Sequence, residues 1–169
     1  MRVLSFDPAV KNLGYANIEI DANQIKNLDF DLIDLCPKQK VKACTFDFLI
    51  NSLFTELEKI NIDWVDIVLI ENQPSMLNAL SKSLSIAIYS FFKIKGLNVK
   101  LISPCRKLGI AGKKLSYVQK KKESVRQVSE LLSVDDKKKL LEKSKQADIS
   151  DAILQAMAYY KSLPSNKVT

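Results

Sequence analysis

Val3-Leu4-Ser5-Phe6-Asp7-Pro8-Ala9-Val10-Lys11-Asn12-Leu13-Gly14-Tyr15 is the stretch on which the reading of this chain turns. Val3, Leu4 and Phe6 read as a short buried strand, with too few polar positions to let it face water. Asp7 ends that strand, and a carboxylate there is costly to bury unless something positive meets it. Asp and Pro are also ordinary turn residues, so Asp7 alone could be a cap on the Pro8-Ala9 turn. A second apolar run, Trp64-Val65-Asp66-Ile67-Val68-Leu69-Ile70-Glu71, ends in a carboxylate as well. Two buried strands ending in acids are less easily assigned to turn chemistry than one.

Outward from these strands, the pattern predicts strands at 2–7, 13–20 and 28–35. Asn12 and Gly14 mark the first connection, and Asp21-Ala22-Asn23 the second. Phe46, Leu49, Ile50, Leu53, Phe54 and Leu57 recur at helical spacing within 44–60. The acid-ended strand at 64–71 follows, then a helix over 77–94 and a fifth strand over 97–102, stopped by Ser103-Pro104. After a basic loop come a helix near 117–133, a lysine-rich connection and a last helix near 146–161. Three strands joined by short turns suggest an antiparallel meander. Two further strands, each preceded by a helix, would join the same sheet in parallel. The expected fold is a mixed five-stranded α/β sheet, β-β-β-α-β-α-β-α, flanked by helices, which is the ribonuclease H-like order.

Composition sets the chemistry. The 169 residues suit one domain spanning 1–169, and hydrophobic residues at 47% are ordinary for a globular protein. No apolar run is long enough to span a bilayer, and Asp7 interrupts what would be a signal's apolar core. An intracellular protein, neither membrane-bound nor secreted, is therefore expected. Cys36, Cys44 and Cys105 lack zinc-ligand spacing and are expected to be reduced thiols. The chain has no histidine. That removes Ser-His and Cys-His nucleophiles and imidazole metal sites, and leaves carboxylates, lysines and hydroxyls to do any chemistry. Carboxylates without imidazole favour hard cations, Mg²⁺ or Mn²⁺.

The net charge of +7 is uneven. Residues 1–99 hold 10 Lys/Arg against 12 Asp/Glu, residues 100–145 hold 14 against 5, and residues 146–169 hold 2 of each. All the excess positive charge thus lies in one stretch. It is either a solvated lysine-rich face or a surface for a polyanion, with a phosphate backbone the leading candidate.

In a sheet of the expected order the two acid-ended strands lie side by side, so Asp7 and Glu71 meet at one edge. Two bare carboxylates held together repel unless one is protonated or a divalent cation lies between them. The last helix offers a second pair, Asp148 and Asp151, three residues apart beside the stripe Ile149, Ala152, Ile153, Ala156 and Tyr160. Acids favour the start of a helix in any case. Packing this helix near the ends of the acid-ended strands would instead bring four carboxylates together.

Ser5-Phe6-Asp7-Pro8-Ala9 with Asn12-Leu13-Gly14-Tyr15, Ile70-Glu71-Asn72-Gln73, and Asp148-Ile149-Ser150-Asp151-Ala152 resemble, in order, motifs of RuvC-type Holliday junction resolvases. Val10-Lys11-Asn12-Leu13 and Ile102-Ser103-Pro104 are similar to the poxviral and fungal-mitochondrial branch. Ala9 stands where RuvC relatives usually have Gly. The resemblance implies a homodimeric endonuclease that resolves four-way DNA junctions by symmetric nicking, with two Mg²⁺ or Mn²⁺ ions per site and no small-molecule cofactor. It makes Asp7, Glu71, Asp148 and Asp151 the metal ligands. Lys122 matches the active-site lysine best, with Lys120 and Lys121 as neighbouring alternatives. Lys11, Asn72, Gln73, Arg106, Lys107, Lys113, Lys114, Lys120 and Lys121 would contact DNA. The helix after Glu71, with its small side chains Ala79, Ser83, Ala87 and Ser90, would form the dimer interface. Other readings stay open: a ribonuclease H-like nuclease acting on RNA–DNA hybrids or other branched DNA, or a branched-DNA binding protein that does not cut. An actin-like ATPase also opens on an acid-ended strand, but it needs a second subdomain for which this chain has no room.

Overall fold

β1 (Arg2–Asp7) is apolar on both faces and lies in the middle of a five-stranded sheet of order β3-β2-β1-β4-β5. The computed structural model that shows this describes residues 1–37, 40–73, 78–103 and 116–164. β2 (Leu13–Asp21) and β3 (Gln24–Ile33) form the antiparallel meander. β4 (Ile67–Glu71) pairs in parallel with β1, and β5 (Val99–Ile102) in parallel with β4. The mixed ribonuclease H-like sheet expected from the sequence is therefore the one observed. β3 starts earlier than expected because a two-residue turn, Ala22-Asn23, carries the ladder back at once. Both turn residues have positive φ, 46° and 63°, the backbone that a tight hairpin matching strand twist requires.

Side-chain alternation divides the core in two. Leu4 and Phe6 of β1, Leu13 of β2, and Val68 and Ile70 of β4 point to one face. They pack with α1 (Phe46–Leu57) through Leu49, Leu53 and Leu57, and with α2 (Ala79–Ile94) through Leu84, Ile88, Phe91 and Phe92. Val3, Ala16, Ile18, Ile20, Ile67 and Leu69 point to the other face. There they meet α5 (Gln146–Ser162), whose Ile149, Ala152, Ile153, Ala156, Met157 and Tyr160 are buried. Val128 of α3 (Tyr117–Leu131) and Leu140 of α4 (Val134–Glu142) complete this second core.

Cap chemistry starts four of the helices. Thr45, Asn78, Ser116 and Ser133 accept from the backbone N–H three residues on, and Ser116 with Gln119 makes a full capping box. The lysine-rich connection expected from the sequence is thus partly a helix, α4. It is launched by Ser133, with Asp135 and Asp136 in the first turn, where acids are favoured.

The expectation of reduced thiols is corrected for two of the three cysteines. Cys36 and Cys44 form a disulfide that closes the loop between β3 and α1, with Cα atoms 6.8 Å apart. At the Cys36 end, Leu35 N–H donates to the Val10 carbonyl at 2.9 Å and Cys36 N–H to Asp34 Oδ1 at 2.9 Å. Cys105 lies outside the described residues. Among the described residues no helix is long and apolar enough to cross a membrane.

Candidate active site

The same alternation that sorts the core decides where the acids point. Val3 and Ser5 face α5, so Asp7, two residues on, faces α5 as well; Ile67 and Leu69 do the same for Glu71. In the parallel register Phe6 is opposite Ile70, which sets Asp7 and Glu71 side by side at the carboxyl ends of adjacent strands. Asp7 is half-buried and Glu71 is buried at 7% exposure. Ends of neighbouring parallel strands are the usual place for a site in a sheet with helices on its faces.

β2 brings the third component. Gly14 is the antiparallel partner of Asp7 and shares the α5-facing side with Ala16 and Ile18. A Cβ on Gly14 would stand 2.4 Å from the carbonyl oxygen of Asp148 and 2.7 Å from its carbonyl carbon. In the sequence Gly14 reads as a turn marker. It lies within β2, and its missing side chain is what admits the first turn of α5 to the sheet beside Asp7. Buried Gln155 fixes the helix further along, donating to Ser5 Oγ at 3.1 Å and to the Phe6 carbonyl at 3.3 Å.

α3 covers the acids of α5 with two matched contacts one helical turn apart. Lys121 Nζ bonds Asp148 Oδ1, and Ser124 Oγ donates to Asp151 Oδ1 at 2.7 Å. The three-residue spacing of Lys121 and Ser124 repeats that of Asp148 and Asp151, and this repeat was the signal available in the sequence. Burial alone would lower the Lys121 pKa. The hydrogen bond and charge of Asp148, with Tyr117, outweigh it, so the ammonium is held above its ordinary range. Lys120 and Lys122, the neighbours of Lys121 on α3, are exposed.

The remaining sequence candidates divide. Gln73 Nε2 donates to Asp7 Oδ1 at 3.4 Å, and Asn72 Oδ1 accepts from Lys82, a residue that no sequence motif singles out. Lys11 is turned toward the disulfide loop, donating to the Cys36 carbonyl at 2.9 Å with Asp34 Oδ2 at 3.6 Å. Arg106, Lys107, Lys113 and Lys114 lie outside the described residues. On α2, Ala79 and Ser90 are exposed and Ser83 and Ala87 half-buried, while Leu84, Ile88 and Phe91 are spent on the core. The small-residue stripe is therefore an outer face of the chain.

The four acids share one face and one end of the sheet, but they are not drawn tightly together. Among the described residues no group of three or more acidic or cysteine side chains is close enough to hold a metal ion. Lys121 and Ser124 hold Asp148 and Asp151 against α3, and Gln73 engages Asp7. The donor set itself is all oxygen, the chemistry that a hard divalent cation takes.

The family model described as Poxvirus A22 protein matches residues 1–163. The chain belongs to this family. Its fold is shared with solved resolvases. The Fowlpox virus resolvase, solved with substrate Holliday junction DNA, is 20% identical, with 97% of this chain and 99% of that one covered at a TM-score of 0.66. Thermus thermophilus RuvC, also solved with a Holliday junction substrate, is 18% identical over 95% of each chain, with a TM-score of 0.66. The yeast mitochondrial Holliday junction resolvase Ydc2 is 20% identical over 94% of this chain and 78% of that chain, with a TM-score of 0.60. Among curated proteins no sequence matches it.

The close approach at Gly14 makes a direct prediction. Gly14→Ala pushes the Asp148 turn off the sheet and destabilises the protein by about 2 kcal/mol, in the range of overpacked cores. Urea unfolding followed by circular dichroism measures it, and a midpoint equal to that of the unaltered protein would refute the packing.

Proposed function

We propose that this protein is an endonuclease that resolves four-way DNA junctions, cutting as a homodimer by paired nicks. The observation that supports the reading is that Asp7 and Glu71 end adjacent strands on the α5-facing side, with the first turn of α5 seated at Asp148 on Gly14, the strand partner of Asp7. Membership of the A22 family and a fold shared with resolvases solved on Holliday junctions support the choice of substrate.

Asp7, Glu71, Asp148 and Asp151 would hold two Mg²⁺ or Mn²⁺ ions. Such ions polarise phosphoryl oxygens and lower the pKa of an attacking water, which suits a chain without histidine. The protein's own residues orient the parts. Gln73 and Ser124 bond the Asp7 and Asp151 carboxylates, and would orient their oxygens as the acids close on the ions. Lys121 keeps its proton, and its ammonium stands where negative charge on a phosphoryl oxygen can be met. In that role Lys121 competes with the sequence assignment of Lys122. Exposed lysines of α3 and the basic residues between β5 and α3 would hold the DNA arms by their phosphates, which positions DNA without reading sequence. A two-fold junction calls for two sites related by two-fold symmetry. The outer face of α2, with Ala79, Ser83, Ala87 and Ser90 beside 51%-exposed Ile86, is the proposed contact between subunits.

Asp7→Asn, Glu71→Gln, Asp148→Asn and Asp151→Asn each keep side-chain size and remove the charge that would hold a cation. Each is expected to lower Mg²⁺-dependent cleavage of a synthetic four-way junction ~100-fold or more while junction binding persists. Two of them cutting at the unaltered rate would refute the assignment, as would equal cleavage of linear duplex. The lysines separate by kinetics. Lys121→Ala should lower the single-turnover rate ~100-fold with little change in affinity. Lys122→Ala should mainly weaken binding and flatten its salt dependence. The reverse pattern would return the role to Lys122.

A further inference from the structure

Asp148 lines one side of a cavity of about 760 Å³ between the first turns of α3 and α5, and most of the lining is not acidic. Tyr117, Val118 and Val125 give it an apolar wall. Lys121, Lys122 and Lys145 line it with positive charge, and Asn12 and Gln146 add amide groups. Tyr117 and Val118 are 73% and 61% exposed, so large apolar side chains face water beside a cluster of cations.

We propose that this cavity receives one unpaired nucleotide of the strand being cut, its base stacked on Tyr117 and its phosphate met by Lys122 and Lys145. The inference rests on the junction-cleaving reading and adds to it a subsite on the scissile strand. An apolar aromatic platform beside lysines matches the two halves of a nucleotide, a π-faced base and an anionic phosphate. The recess has the volume of a small-ligand pocket and is open to solvent on one side, so a single nucleotide would fit it. A base can enter it only after leaving its stack, a step that costs least where pairing is already broken.

Lys121 links this subsite to the acids. Its Nζ lies 5.5 Å from the Tyr117 ring centroid and is bonded to Asp148. One side chain therefore touches both the stacking platform and a candidate cation ligand. A base seated on Tyr117 would fix the neighbouring phosphodiester against the carboxylates, which makes Tyr117 a positioning residue. Asn12, on the turn between β1 and β2, lines the same cavity and would contact the base edge, while Gln146 donates to the Leu141 carbonyl at 3.0 Å.

The test uses Asp7→Asn protein, which is expected to bind without cutting, and four-way junctions carrying 5-iododeoxyuridine at each position within three nucleotides of the cut. Irradiation should cross-link one position to Tyr117, identified by peptide mass spectrometry. In the otherwise unaltered protein, Tyr117→Ala should slow single-turnover cleavage about tenfold, the lower part of what loss of one base stack implies. Tyr117→Phe, which keeps the stacking face, should restore the rate. Junctions bound and cut normally, with no cross-link at Tyr117 and an unchanged Tyr117→Ala rate, would overturn the subsite and leave the junction-cleaving reading intact. A Tyr117→Ala defect that Phe does not restore, without a cross-link, would overturn it equally. Failure of the protein to bind or cut any junction would overturn both.

Discussion

The contact between the first turn of α5 and Gly14 is the constraint on which the site depends. Backbone lies on backbone there, with room for no side chain beyond hydrogen on the sheet side. Because Gly14 is paired with Asp7, the contact fixes the Asp148 backbone relative to the end of β1. The rest of the site follows from periodicity. Once α5 is seated, alternation along β1 and β4 turns Asp7 and Glu71 toward it, and the helical repeat carries Asp151 one turn above Asp148. Gln155, a further turn along, ties the helix to Ser5 and Phe6 and keeps it from sliding.

Charge balance at this corner is handled by α3. Four carboxylates at one end of a sheet would repel, and in the described structure Lys121 and Ser124 hold the two from α5. Lys121 thereby joins two parts of the molecule, the acids and the cavity behind Tyr117. Its ammonium touches both parts in the described structure. In the proposed mechanism α3 is a cover over the acids in the free protein and a contributor of positive charge toward the strand being cut.

Much of this was legible in the residues. β1 and β4 were readable because each is a short, mostly apolar run, too short for a buried helix and closed by an acid. The helices α1, α2 and α5 showed clear periodicity, and Asp148 with Asp151 stood beside a visible apolar stripe. Three things were harder to see. Gly14 sits beside a turn, where glycine is ordinary, so its role in a close approach is visible only once α5 is docked. Gln24 to Asn27 are mostly polar, so the start of β3 shows in the hairpin turn and not in hydrophobicity. The choice among Lys120, Lys121 and Lys122 depends on the rotation of α3. The sequence resemblance pointed to Lys122, whereas burial of Ser124 and Val128 turns Lys121 toward Asp148. The Cys36–Cys44 pair was obscured for a different reason, since the eight-residue spacing of the two cysteines carries no periodic signal in the sequence.

The central claim is that Asp7, Glu71, Asp148 and Asp151 form one hard-cation site on the α5 face of the sheet. Its most direct test is anomalous diffraction from crystals of the protein grown with Mn²⁺ and a four-way junction whose scissile linkages resist hydrolysis. The account predicts two manganese peaks about 4 Å apart, shared among these four carboxylates and a phosphate of the junction. Junction density at the site without a manganese peak within coordination distance of any of the four would contradict it.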